Sequence, residues 1–152
     1  MTIIKRLGLA GALASTLALG NCSTTNEMVG RGQQSWTLHS QETAPPAGPA
    51  PRGKVEIATG NQGNRDLKVE AKNLLPPDTA FPGTSTYVVW LKPADGHPLN
   101  IGVLTPDKKL NAELKTKTPF TNFTVMVTAE HGAQPLQPSV NQVLSADIVV
   151  AT

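Results

Sequence analysis

The sequence is poor in the residues on which several classes of protein depend. Its 152 residues include a single cysteine, which can form neither an internal disulfide nor a zinc site built from cysteines. Charged residues make up 16% of the chain, against a usual share of about 25%, and they form no acidic or basic tail. These shortages argue against a nucleic-acid-binding protein, a disulfide-stabilised scaffold, a coiled coil and a multidomain enzyme.

Glycine and proline are frequent instead, with 13 residues of each. Both residues favour turns and loops over long helices, and no window of the sequence has a sustained helical periodicity. A length of 152 residues suits one domain of ordinary size with extensions. We therefore expect a single domain built from short elements.

The N-terminus has the pattern of an export signal. Lys5 and Arg6 precede an apolar run over residues 7–19, which is shorter than the roughly 20 residues of a membrane-spanning helix but suits a secretory signal. The sole cysteine, Cys22, follows almost directly. This arrangement resembles the lipobox of bacterial lipoproteins, although Asn21 stands where that motif usually has Gly, Ala or Ser.

The lipobox resemblance implies that residues 1–21 are a signal peptide and that the Cys22 thiol carries a diacylglycerol through a thioether. The residue after the cysteine is Ser23, whereas an Asp at this position would oppose sorting to the outer membrane. If the cell is Gram-negative, the resemblance therefore implies that the protein lies at the periplasmic face of the outer membrane. Two alternatives stay open at this point. The segment is an ordinary secretory signal with a chance cysteine, or an uncleaved N-terminal anchor.

The apparent basicity of the chain belongs to this signal. Removing residues 1–21 lowers the number of basic residues from 13 to 11, which equals the number of acidic residues. A mature chain of zero net charge is not expected to bind nucleic acid.

Residues 22–52 are predicted to form the lipidated cysteine and a flexible tether, because Ser, Thr, Gln, Gly and Pro dominate and few apolar side chains are present. Such a tether would reach about 100 Å when fully extended. Within it, residues 35–39 have the character of an edge strand, since Trp36 is an unusual residue to leave in a loop.

Residues 53–152 are predicted to form an all-β domain. Apolar and polar residues alternate in short runs separated by turn signals, and one run is apolar on both faces, which is typical of a central strand. The runs cover residues 55–57, 67–71, 87–91, 99–104, 110–114, 123–129 and 143–150. Seven strands in about 100 residues predict an antiparallel immunoglobulin-like β-sandwich. Its predicted core contains Tyr87, Val89, Trp90, Leu91, Phe123, Val125 and Val127.

Two segments resemble the C-terminal domain of anti-sigma-K factors. They are YVVWLKPADGHPLNIGVL at 87–104 and FTVMVTAEHGAQPLQPS at 123–139. In that family the domain lies outside the cytoplasmic membrane, and a transmembrane helix joins it to a cytoplasmic sigma-binding segment. We expect no such segment ahead of a signal peptide here, so the resemblance implies an extracytoplasmic sensor-type or adaptor-type module and no sigma-factor inhibition. No catalytic residues of the family carry over.

Four polar residues lie in two predicted loops that we expect at one end of the sandwich, where binding loops often lie. Asp95 and His97 belong to the loop 93–98, and Glu130 and His131 belong to the loop 130–139. Two histidines with two carboxylates are able to bind a divalent metal, and the carboxylates alone are able to act as an acid–base pair. Their spacing matches no local metal-ligand motif, so solvated turn residues are the expected outcome.

The sequence has no nucleophile elbow, no phosphate-binding loop and no dinucleotide-binding glycine motif. We therefore expect a non-enzymatic, cofactor-free lipoprotein whose membrane contact is the lipid at Cys22. Its domain is expected to bind a protein or another envelope component. One alternative is a metal-binding or enzymatic sandwich that uses His97 and His131. The other is a surface lipoprotein with a purely structural role.

Overall fold

Every run of alternating apolar and polar residues contributes a strand in the computed structural model, which describes residues 32–41 and 48–151. The strands are β1 (Gln33–Ser40), β2 (Arg52–Thr59), β3 (Arg65–Lys72), β4 (Thr86–Pro93), β5 (Leu99–Leu104), β6 (Ala112–Thr118), β7 (Asn122–Glu130) and β8 (Gln142–Val149). The helix α1 (Pro77–Ala80) is a single turn. In this part of the chain, no helix is long and apolar enough to cross a membrane.

The strands form one sheet in the order β5-β4-β7-β8-β1-β2-β3-β6, and all neighbouring strands are antiparallel. The prediction of an antiparallel all-β fold is therefore confirmed. The two edge strands approach each other, because a Cβ atom added to Gly102 of β5 would lie 2.8 Å from Leu114 Cδ1 of β6. Gly102 has a φ of 143°, which side chains rarely tolerate. The sheet is thus nearly closed on itself.

β1 lies inside the segment predicted to be a tether, so that prediction is wrong for residues 33–40. Residues 33–38 pair with β2, while His39 and Ser40 pair with β8. Leu38 is buried and Trp36 packs against the core. β1 is consequently an interior strand rather than an edge strand, and it joins the strands β2-β3-β6 to the strands β5-β4-β7-β8. Cys22 and the signal lie outside the described residues.

The core lies on one face of this nearly closed sheet and has members from every strand. Six of the seven predicted core residues belong to it: Tyr87, Val89, Leu91, Phe123, Val125 and Val127. The Tyr87 hydroxyl donates a hydrogen bond of 2.8 Å to the Leu75 carbonyl oxygen, and burial of the phenol raises the pKa of Tyr87 to about 12. This tie fixes the segment between β3 and β4 against the core.

The seventh predicted core residue, Trp90, lies on the other face of β4. Because side chains alternate across a strand, Val88 and Trp90 point away from the core that contains Tyr87 and Val89. Both are nevertheless buried. Something other than the core must therefore cover this outer face.

One predicted strand begins too early. Leu110 has a left-handed backbone with a φ of 63°, and it ends a turn in which the Asp107 carboxylate accepts hydrogen bonds from the Lys109 and Asn111 amides. Leu110 thus fits the alternation of apolar and polar residues in the sequence, although it is not part of the strand. β6 begins at Ala112 instead.

Candidate functional site

The two loops predicted to share one end of the domain lie at opposite ends. In the antiparallel pair of β4 and β7, Thr86 lies opposite Glu130 and Pro93 lies opposite Phe123. Seven residue steps of about 3.3 Å separate these positions by roughly 23 Å. Asp95 and His97 therefore extend the end marked by Pro93, whereas Glu130 and His131 lie at the end marked by Thr86. The prediction of one shared loop cluster is wrong.

The histidines are not part of a metal-ligand set. Within residues 32–41 and 48–151, no group of three or more His, Cys, Asp or Glu side chains could hold a metal ion. His131 Nδ1 lies 2.6 Å from the Gly83 carbonyl oxygen, and since a carbonyl only accepts, Nδ1 is the donor. The Ser85 hydroxyl donates to the His131 carbonyl oxygen at 2.7 Å. His131 thus fixes the turn before β4, and all three histidines are exposed.

The segment 131–141, here called the flap, covers the outer face of β4. The Asn100 side-chain amide on β5 donates a hydrogen bond of 3.0 Å to the Ala133 carbonyl oxygen, and Asn100 pairs with Trp90 in the sheet. The flap then returns to β7, where the Ala129 amide donates to the Asn141 carbonyl oxygen at 2.9 Å. Because the segment is held at these two points on either side of Trp90, we infer that it is the cover that buries this side chain.

A chain of hydrogen bonds, buried within the sheet and partly buried at the flap, joins the sheet to the flap. Trp90 Nε1 donates to Thr128 Oγ1 at 2.8 Å, and this hydroxyl donates to Glu130 Oε1 at 2.5 Å. Glu130 Oε1 also accepts from the Ser139 amide of the flap at 2.8 Å. The Ser139 hydroxyl donates to the Ala129 carbonyl oxygen at 2.9 Å.

Glu130 is the central member of this network. Its side chain is 4% exposed, and a buried carboxylate is costly unless hydrogen-bond donors surround it. Two donors converge on one of its oxygens, one from the sheet and one from the flap. Because one donor belongs to the sheet and the other to the flap, Glu130 holds the flap to the sheet.

The outer surface of the flap is apolar at two positions. Leu136 is 95% exposed and Val140 is 88% exposed, the highest values among the large apolar side chains of the described part of the chain. A single exposed apolar residue is ordinary, but these two lie four residues apart on a segment fixed from below by a buried network. The flap therefore presents a defined apolar surface to solvent.

The opposite outer face, on β2, β3 and β6, has a different character. Lysine and glutamate side chains alternate there, and Lys68 Nζ lies 2.8 Å from Glu70 Oε1 and 3.2 Å from Glu113 Oε2. The hydrogen bond with Lys68 lowers the pKa of Glu70, and the same bond raises the pKa of Lys68. Because these ion pairs are exposed to solvent and balanced in sign, they describe a hydrated surface rather than a binding site.

Sequence reasoning missed Thr128, Ser139 and the role of Glu130. A signal for them was present, because β4 is apolar on both faces and its outer face needs a cover. Because side chains alternate across a strand, Thr128 and Glu130 of β7 lie on the same outer face as Val88 and Trp90 of β4. The segment that follows Glu130 directly is the one able to supply the cover.

No family model matches the chain, and no curated protein matches it. The resemblance of residues 87–104 and 123–139 to the anti-sigma-K domain stays a prediction. In the structure these segments are β4, a turn and β5, and β7 with most of the flap.

Proposed function

We propose that the protein is an exported lipoprotein, anchored at Cys22, whose domain binds a protein or another envelope component through the flap without catalysing a reaction. In a Gram-negative cell this places the domain at the periplasmic face of the outer membrane. No cofactor and no nucleic acid take part in this function. The anti-sigma-K resemblance supports the extracytoplasmic setting.

The flap is the observation that carries the binding role. Its inner side contacts the buried carboxylate of Glu130, and its outer side carries Leu136 and Val140. A rigid base with exposed apolar side chains needs little ordering on binding, which reduces the entropic cost of association. The Glu130 carboxylate accepts from Thr128 and from the flap, which supports a structural use of this carboxylate over a catalytic one.

The strand pairing supports an immunoglobulin-like sandwich, which we propose as the architecture of the domain. The groups β2-β3-β6 and β5-β4-β7-β8 divide seven strands into three and four, as two packed antiparallel sheets of an immunoglobulin-like sandwich do. β1 is then an additional strand that pairs with both sheets. Loops and covered faces of such scaffolds commonly carry binding sites.

The proposed lipid anchor at Cys22 leads to a direct prediction. Cys22→Ser should abolish incorporation of labelled palmitate into the protein, because the thiol is the only group in the chain able to form the thioether. The variant should also leave the membrane fraction, since several acyl chains at about 0.8 kcal/mol per buried CH₂ are what hold the protein there. Unchanged palmitate labelling would contradict the lipoprotein assignment.

The binding role is tested by site-specific photo-crosslinking in intact cells. A photoreactive amino acid at Leu136 should give one discrete crosslinked product, because this side chain is fully available on the flap. The same amino acid at Lys108, which is exposed in the turn before β6, is the matched control. Val140→Ser should weaken the product formed from position 136. Equal crosslinking from both positions, or a product that Val140→Ser leaves unchanged, would contradict recognition by the flap.

A further inference from the structure

The chain enters the domain at the end that carries Asp95 and His97. The side chain of Gln34, near the start of β1, exchanges two hydrogen bonds of 3.0 Å with the backbone of Ala151. The adjacent Val150 amide donates to the Thr121 carbonyl oxygen at 2.8 Å. We call this the entry end, and it consists of Gly32, the turn 93–98, the turn 119–122 and the last residues of β8.

The entry end contains an open groove of about 650 Å³ between its two turns. Pro93, Ala94, Leu99, Pro119 and Phe120 supply most of the apolar lining. Leu99 is 46% exposed, and Val149, which pairs with Asn122 at this same end, is 63% exposed. Two of the four exposed large apolar side chains of the described residues therefore lie here. The other two are on the flap.

The length of chain between Cys22 and the domain limits the distance between the entry end and the membrane. Because β1 begins at Gln33, only residues 23–31 separate Cys22 from Gly32. Ten residue steps of at most 3.6 Å reach about 36 Å, about a third of the reach predicted for a tether over residues 22–52. Gly32, where the chain enters this end of the domain, cannot lie farther than this from the surface of the bilayer that holds Cys22.

We infer that the entry end docks on the surface of the phospholipid bilayer, with Leu99 and Phe120 in contact with lipid; this inference rests on the proposed anchor at Cys22. The contact is apolar in origin, since the turns 93–98 and 119–122 contain a single charged residue, Asp95, and the mature chain is neutral. Interfacial apolar contacts of this kind depend on buried area and only weakly on salt. The short connection supplies the high local concentration that a small contact needs.

Fluorescence quenching in vesicles tests this orientation. The lipidated protein is purified from membranes with an azide-bearing amino acid in place of His97 at the entry end, labelled with an environment-sensitive dye, and placed in phosphatidylcholine vesicles with brominated acyl chains. The control protein carries the dye in place of Lys108, which lies at the opposite end of the domain. Quenching should be several-fold greater at position 97 than at position 108. Equal quenching at the two positions would overturn the inference.

Leu99→Ser in the protein labelled at position 97 separates lipid contact from mere proximity. Leu99 is half exposed, so the variant should keep its fold, which circular dichroism verifies. Quenching should fall by at least half and should be unchanged by added salt. Full quenching in Leu99→Ser would overturn the docking contact. Dye shielding that appears in detergent and grows with protein concentration would assign the groove to a second copy of the chain and would also overturn it.

The failure of the anchor is distinguishable from the failure of docking. The mass of the purified protein reports whether Cys22 carries lipid, independently of any quenching. If the mass shows a free thiol, the proposed anchor is wrong, and coupling Cys22 to a maleimide lipid still tests the orientation of the domain. If Cys22 is lipidated and position 97 is no more quenched than position 108, the anchor stands and the docking inference is wrong.

Discussion

Replacing Trp90 with alanine is expected to lower the free energy of unfolding by about 3–5 kcal/mol. Trp90 is 1% exposed although it lies outside the main core, and we infer that the flap, which is bonded to the neighbouring Asn100, covers it. Its removal leaves a cavity between the sheet and the flap and also removes the Nε1 hydrogen bond to Thr128. Urea denaturation monitored by circular dichroism measures the loss.

Two other substitutions test why Trp90→Ala lowers the free energy of unfolding. Trp90→Phe keeps most of the ring but removes the hydrogen bond to Thr128, so it should cost less, about 1–2 kcal/mol. Trp36→Ala, at the other tryptophan of the chain, should cost less than Trp90→Ala because Trp36 is only partly buried. A loss below about 1 kcal/mol for Trp90→Ala would place this side chain at the surface and contradict the position of the flap.

Replacing Glu130 with alanine is the second large effect, with an expected loss of about 3 kcal/mol in the free energy of unfolding. The change leaves the buried Thr128 hydroxyl and the partly buried Ser139 amide without their shared acceptor. Glu130→Gln keeps one carbonyl oxygen in place, so it should lose about half as much. The flap should detach from the sheet in Glu130→Ala while the two groups of strands stay folded.

Glu113→Ala is the matched control for Glu130→Ala. Glu113 is a glutamate of the same domain, but its ion pairs with Lys68 and Lys115 lie in solvent. Its removal should change the free energy of unfolding by less than about 0.5 kcal/mol. Equal effects at the two glutamates would mean that burial of the Glu130 carboxylate does not support the flap.

The seven strands β2 to β8 could be predicted because alternation of apolar and polar residues directly reports which face of a strand is buried. β1 was harder, since the segment 22–52 is polar on average and only Trp36 and Leu38 stand out. The average composition of these 31 residues conceals a single strand that is eight residues long. The consequence is large, because β1 shortens the connection to Cys22 and determines which end of the domain lies near it.

The candidate site was predictable only in part. Glu130 and His131 were singled out as loop residues, but the antiparallel pairing of β4 and β7 places them about a strand length from Asp95 and His97. Which loops share an end depends on long-range pairing, and sequence spacing does not encode it. Trp90 was correctly predicted to be buried, yet on the wrong face. A side chain that is buried under a neighbouring loop segment and one that is buried in the core produce the same apolar pattern in the sequence.

Amide hydrogen exchange at Ser139 tests the central claim, that the free protein already holds the flap on the sheet as a binding surface. The Ser139 amide donates to the buried Glu130 carboxylate, so in the unbound protein it should exchange far more slowly than an unstructured peptide of the same sequence. Glu130→Ala should return it to the rate of that peptide, while amides of β4 and β7 stay protected. Exchange of Ser139 at the peptide rate in the unsubstituted protein would contradict the account.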